Sequence, residues 1–471
     1  MKVSTRMVVS LLIVGMLAII VTGMMVDINA MNEQNVIVFS NCVVVACLTV
    51  YIKFINGFDM SATMMIFAWA FSIGGLLPEL FDLTDRRRVI GYYSEVVICH
   101  ACLFVAISVC LFTIGAILAH KKKKSRGILE RIFLINDSTV LLISKVFFYI
   151  GLAPMAVYLL QCLIYVSASG YGASLYNDGV ITNGSWFISL KNYFLVGVYM
   201  LIVVYGKEKP KRAKRVMFVG FAYCLAMVII GQRLTIIAYL IGLIACYHYS
   251  VESIAKYKGR IFFVVVLGVL VLPVLSSYRL IARNEWSVVD IIEQINPLQG
   301  LLDMLSETSG SMLPLINCMS NPALQGMHLK GTSYLDCIAL SVMFRSVVRS
   351  FYNPGYSSLQ VLYTQTVAPA IARVGGGLGF SAFAEAYINF HDMGCLVFIL
   401  FGYLYTNLYQ SSRAKNGQAS KIWLPLSIFL CQRLLFYVRS DLYDFYGNFK
   451  LVLMIIILCY ILTNFTNKGA K

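Results

Sequence analysis

Apolar residues in this chain fall in long blocks separated by short polar breaks. Runs of roughly 17–25 apolar residues recur from end to end, each long enough to cross a hydrocarbon core of about 30 Å. That length criterion predicts about twelve spans: 7–26, 36–52, 60–80, 94–119, 140–166, 187–205, 216–232, 234–250, 261–278, 380–409, 422–440 and 448–466. Backbone groups inside lipid must be paired within their own segment, so the expected fold is all-α, a polytopic membrane helix bundle. The first run follows Lys2 and Arg6 as a signal peptide would, but it lacks a small-x-small cleavage site and is expected to be a retained span.

The spans divide the chain into three parts. Residues 1–278 hold the first nine spans, and 380–471 hold the last three. Between them, 279–379 reads as one large extracytoplasmic loop, too long to be without elements of its own. Ile292, Ile295, Leu298, Leu302 and Leu305 recur at helical spacing across Val289–Leu305, with Pro297 interrupting them. Tyr334–Phe351 is similar and stacks Arg345 on Arg349 at i and i+4. Each stretch reads equally as an amphipathic helix on the membrane surface or as packing over the bundle.

Composition agrees with this class. Hydrophobic residues make up 59%, charged residues 13%, and the mean hydropathy is +0.78. The net charge of +16, from 38 basic and 22 acidic residues, does not call for nucleic acid. Lys121–Lys124, Lys207, Lys209, Lys211, Lys214, Lys256, Lys258, Lys415 and Lys421 fall in alternate loops, which the positive-inside bias makes cytoplasmic. Both termini are then cytoplasmic, in line with Lys2, Lys468 and Lys471. The triplet Arg86-Arg87-Arg88 lands outside and violates the scheme. Either the second and third spans end elsewhere, or the triplet serves something besides topology. Cys99-His100-Ala101-Cys102 is half of a four-ligand pattern, so no metal is expected. Cys318 and Cys337 share the loop and are able to pair, though nothing requires it.

With the orientation set, the outer side carries Arg86, Arg87, Arg88, Arg233, Arg279, Arg283, Arg345, Arg349, Arg373 and Arg439, with Arg433 inside the penultimate span. Positive charge outside opposes the insertion bias. A guanidinium offers a planar fork of donors that matches phosphate oxygens two at a time. The outer face therefore reads as a receptor for a phosphate or diphosphate, with about half of these residues serving ordinary headgroups. Arg233 sits in Gly231-Gln232-Arg233, with almost no loop between two spans. A charge there costs roughly 2.5–3.5 kcal/mol if it reaches mid-bilayer, so a partner is expected.

Gly375 to Phe390 adds a second kind of chemistry: Gly-Gly-Gly-Leu-Gly-Phe-Ser, then Glu385-Ala-Tyr387-Ile-Asn389-Phe390. A glycine-rich turn, a carboxylate and an amide stand at the mouth of a span, where an unaided Glu is costly. Glu307-Thr-Ser-Gly-Ser311 and Gly331-Thr-Ser-Tyr334 are polar patches suited to sugar hydroxyls or, equally, to capping helices.

Taken in order, these motifs resemble the Wzy-type oligosaccharide repeat-unit polymerases of O-antigen and capsule. The resemblance rests on Gly-Gln-Arg233, Ser277-Tyr-Arg279, Glu307 with its Ser/Gly cluster, Gly331-Thr-Ser-Tyr334 and above all the Gly375–Phe390 segment. His391-Asp392 departs from it where the family often continues with Gly. The resemblance implies a multi-pass glycosyltransferase of the inner (cytoplasmic) membrane, needing no cofactor and no metal. It would move a growing glycan from undecaprenyl diphosphate onto the sugar of an undecaprenyl-diphosphate-linked repeat unit, in some systems beside a chain-length regulator. Arg233 and Arg279 would hold the leaving diphosphate, with Arg283 or Arg373 assisting, each such donor contributing about 10²–10³ in rate. Glu385 would position or deprotonate the acceptor, or else pair an arginine. Glu307, Tyr334, Gly376, Gly377, Tyr387 and Asn389 would line the substrate. An O-antigen ligase would share these arginines. A lipid-linked oligosaccharide flippase is a third reading, with Pro154 or Pro273 marking broken helices.

Overall fold

A computed structural model describes residue 15 and residues 32–55, 57–84, 87–121, 137–169, 186–230, 233–253, 297–353, 356–373, 376–412 and 418–468. Every regular element among them is helical. Among the described residues, seven helical stretches are long and apolar enough to cross a membrane: Glu33–Ile55, Met60–Leu80, Glu95–His120, Asp137–Tyr165, Ala382–Gln410, Lys421–Arg439 and Leu442–Leu462. They make the chain an integral membrane protein. Lys191–Tyr205 and Thr235–Ser250 are shorter apolar helices, and the expected spans 7–26 and 261–278 lie outside the described residues, residue 15 apart.

The chain forms two compact units, each assembled from separated stretches. The first takes Met1–Lys123, Leu302–Leu408 and Arg433–Leu453. Its helices Glu95–Lys121 and Val397–Ser412 cross backbone to backbone through reciprocal glycines. A Cβ on Gly115 would stand 2.0 Å from the Ile399 carbonyl oxygen, and one on Gly402 would stand 2.1 Å from that of Phe112. In lipid, where burying apolar surface gives no drive, such close approach is what holds helices together. The second unit takes Lys124–Leu301, Tyr409–Gln432 and Met454–Lys471. It repeats the device: Gly151 meets Phe194, and Gly197 meets Phe148.

Two sequence expectations change in the first unit. The described part of the periodic stretch 289–305 lies in helix Pro297–Ser309. Residues 289–296 lie outside the described residues. Tyr334–Phe351 is two helices, Thr332–Val342 and Arg345–Phe351, parted where Met343 and Phe344 turn extended. The span expected over 380–409 is broken. Helix Ala382–Phe390 stops at His391, whose φ is +48, and a tight turn over His391–Leu396 leads into Val397–Ser412. Gly394 permits this, since a Cβ there would stand 2.2 Å from the Ala386 carbonyl oxygen.

Candidate functional site

The glycine-rich run delivers the chain into helix Ala382–Phe390. Gly379 takes a left-handed φ of +78, and Ser381 caps the helix by accepting from the Ala384 amide at 3.1 Å. The cap starts the helix so that Glu385 and Asn389 share one face at i and i+4. Both are buried, at 1% and 0% exposure.

Their partners come from two distant stretches. Ser333 Oγ donates to Glu385 Oε1 at 2.7 Å, and the Leu442 amide donates to Oε2 at 2.7 Å. Asn389 Nδ2 donates to Ser333 Oγ at 2.8 Å and to the Glu385 carbonyl at 2.7 Å. The Gly331 amide donates to Asn389 Oδ1 at 2.9 Å, which fastens the Gly331-Thr-Ser turn to the helix end. Gly331 has φ +85, and a Cβ there would press on the Phe390 ring at 3.0 Å. Tyr334 stacks on Phe390 with centroids 6.3 Å apart. Its hydroxyl is buried and lies beside Tyr437 and Glu385. Burial, then the Glu385 charge, raises the Tyr334 hydroxyl well above its ordinary value, so it stays protonated.

A second carboxylate adjoins the first. Asp441 is fully buried; its Oδ2 accepts from the Gln360 amide at 3.0 Å, and its Oδ1 has no partner. Burial raises the Asp441 carboxyl above its ordinary value, against the backbone donors that lower it. Among the described residues no arginine pairs with Glu385 or Asp441; hydroxyl and amide donors hold them instead.

A family model for the O-antigen polysaccharide polymerase Wzy matches residues 6–469. The chain belongs to that family. No curated protein and no solved structure matches it. Wzy polymerases are glycosyltransferase-like enzymes that act on lipid-linked oligosaccharides in the membrane, and the apolar helices agree with that setting.

For a Wzy-family chain, the predicted residues divide into three groups. Glu385, Asn389 and Tyr334 come together as described. Tyr387, on the same helix, packs edge-on against Phe104 and His391. Glu307 lies 3.8 Å from the Arg88 guanidinium. Gly376 and Gly377 lie against Ile371 and Gln360. Arg373 ends the short helix Pro369–Arg373 and is exposed. Arg233 opens helix Arg233–Ser250 in the second unit, but its side chain lies outside the described residues, as do Arg279 and Arg283 altogether.

Several of the arginines expected on the outer side are matched by acids. Arg349 makes a two-pronged pair with Asp336 at 2.6 and 2.9 Å, and Arg87 pairs with Asp82. Of the Arg86-Arg87-Arg88 triplet, Arg86 lies outside the described residues, and Arg88 begins a turn that buried Glu79 organises. One Glu79 oxygen accepts from the amides of Arg88, Val89 and Ile90, and the other from Ser309 Oγ at 2.6 Å. Cys318 and Cys337 are free thiols, and Cys337 donates to the Leu442 carbonyl.

Sequence reasoning passed over Ser333 as an individual residue, along with Tyr437, Asp441 and the Leu442 amide. Ser333 stood inside a quoted patch. Asp441 left one signal, an acid in Arg439-Ser440-Asp441 between two spans.

Proposed function

We propose that this chain polymerises O-antigen or related polysaccharide repeat units on the outer face of the inner membrane. The acceptor is one repeat unit on undecaprenyl diphosphate, and the donor is the growing glycan on the same carrier. The acceptor hydroxyl oxygen bonds to the donor's anomeric carbon as the bond from that carbon to the diphosphate oxygen breaks. The electron pair leaves with undecaprenyl diphosphate, and the acceptor proton passes to a base. In this reading both termini are cytoplasmic, about twelve spans cross the bilayer, 279–379 lies largely outside, and a chain-length regulator acts from a separate protein.

Within that reaction Arg233 and Arg279, aided by Arg283 or Arg373, hold the departing diphosphate, where pre-aimed cations stabilise developing charge. The observation that supports the reading is the buried Glu385 at a span mouth, whose two side-chain oxygens accept from Ser333 Oγ and the Leu442 amide. Both of its oxygens are engaged, so proton abstraction by Glu385 would require Ser333 to release it. The geometry therefore favours a positioning role, with Glu385 setting the Ser333–Tyr334 turn against the 439–442 segment.

Gene deletion tests the function. Surface lipids carrying a single repeat unit are expected; their complete absence would indicate a ligase and overturn the reading. Complementation with Arg233→Lys tests the diphosphate assignment, because an ammonium keeps the charge and loses the fork. Shortened or absent polymer is expected, and full-length polymer would remove Arg233 from the site.

A further inference from the structure

Helices Thr332–Val342 and Arg345–Phe351 each have one inward and one outward side. Ser333, Asp336, Cys337 and Leu340 are buried on the first, and Val348 on the second. Large apolar residues stand outward on both: Leu335, Ile338 and Val342 are 64%, 59% and 64% exposed, and Phe344, Val347 and Phe351 are 76%, 42% and 87% exposed, with Arg345, Ser346 and Ser350 also exposed on the second helix. The spacing 335, 338, 342 places the first three on one helix face. An apolar patch of this kind marks a binding surface rather than a solvated one.

Charge and position identify the occupant. Lys450 Nζ donates to the Met343 carbonyl at 2.8 Å, at the C-terminal end of helix Thr332–Val342, where a cation complements the helix dipole. It also lies 5.5 Å from the Phe344 ring and 5.8 Å from that of Tyr446. Lys450 belongs to the apolar stretch Leu442–Leu462. The joint between the two helices therefore sits alongside a membrane-crossing element, not above it. Arg345 is exposed beside the patch. Apolar side chains on one side with Lys and Arg at the rim match acyl chains below lipid phosphates.

We infer that Thr332–Phe351 is a membrane-embedded foot, its two outward faces buried among phospholipid acyl chains with Lys450 and Arg345 at headgroup level. This goes beyond the proposed reaction and rests only on the chain being a membrane protein. The Asp336–Arg349 pair braces the two helices against each other, and Ser333 in the first turn bonds Glu385. The foot thus fixes Ser333 relative to the bilayer.

Photo-crosslinking tests it on the full chain reconstituted in vesicles of phosphatidylethanolamine and phosphatidylglycerol. Phe344→benzoylphenylalanine and Phe351→benzoylphenylalanine are expected to give phospholipid adducts by mass. Gln365→benzoylphenylalanine, exposed on helix Leu359–Val367, measures background. Adducts to a second copy or another protein, or lipid yields no higher than at Gln365, would overturn the inference. Since adducts are read without turnover, a parallel polymerisation assay reports separately on the proposed function.

Discussion

One hydroxyl, that of Ser333, serves both polar residues of the Glu385 helix: it donates to Glu385 at 2.7 Å while accepting from Asn389 at 2.8 Å. Ser333→Ala removes a donor and an acceptor at once and leaves two buried groups short of a partner. The expected cost is about 1–3 kcal/mol of stability. Thermal unfolding in detergent should show a lower midpoint, and the glycan ladder on a gel should shorten. An unchanged midpoint and ladder would mean that the bond contributes nothing.

The Asp336–Arg349 pair is asymmetric in burial, with side-chain exposures of 3% and 17%. Arg349→Ala strands the more buried charge, so it should destabilise by about 3–5 kcal/mol. Asp336→Ala leaves a guanidinium closer to solvent and should cost less. Arg349→Lys should recover only part, since one ammonium cannot make both bonds. Unfolding of the three variants in one detergent ranks them, and equal losses would contradict the burial argument.

Asp441 gives a pH dependence with a definite sign. Its carboxyl is raised in the fold from the ordinary 3.8, chiefly by burial, so the native state binds the proton more tightly than the unfolded chain does. Its contribution to stability is full below that ordinary value and falls as pH rises through the raised one. Asp441→Asn should remove this slope from a series of melting curves taken from acid to neutral pH. A slope that survives the substitution belongs to another group.

Gly115→Ala should cut the yield of monodisperse protein sharply, because its methyl would meet the Ile399 carbonyl oxygen at 2.0 Å. Overpacking of this kind costs typically about 1–3 kcal/mol, and backbone cannot move aside as a side chain can. Gly57→Ala is the control: nothing lies within 4 Å of a Cβ there, and its yield should match the parent.

The block pattern of apolar residues carried the helical class and the placement of most spans, because burial in lipid acts on every residue of a span alike. Breaks were harder to see. Nothing in Val342-Met343-Phe344-Arg345 is a helix breaker by type, and His391 takes a left-handed φ that glycine would ordinarily announce. At the site, Glu385 and Asn389 were visible as polar residues four apart on an apolar helix. Ser333, Asp441 and the Leu442 amide were not singled out, since what makes them matter is contact across long stretches of chain. The arginines show the same limit. Their sign and side are legible locally, whereas Arg349 facing Asp336 depends on how two helices fold back on each other.

The amide of Leu442 reaches Glu385 from 57 residues downstream, and the first unit closes only with Arg433–Leu453. A ribosome that has translated as far as Arg439 has therefore made a glutamate still missing one of its two oxygen-bound donors. Nonsense or frameshift lesions ahead of Leu442 should be as damaging as early ones. The order of synthesis thereby acts as a safeguard, with the acidic helix left unfinished until the closing transmembrane segment emerges.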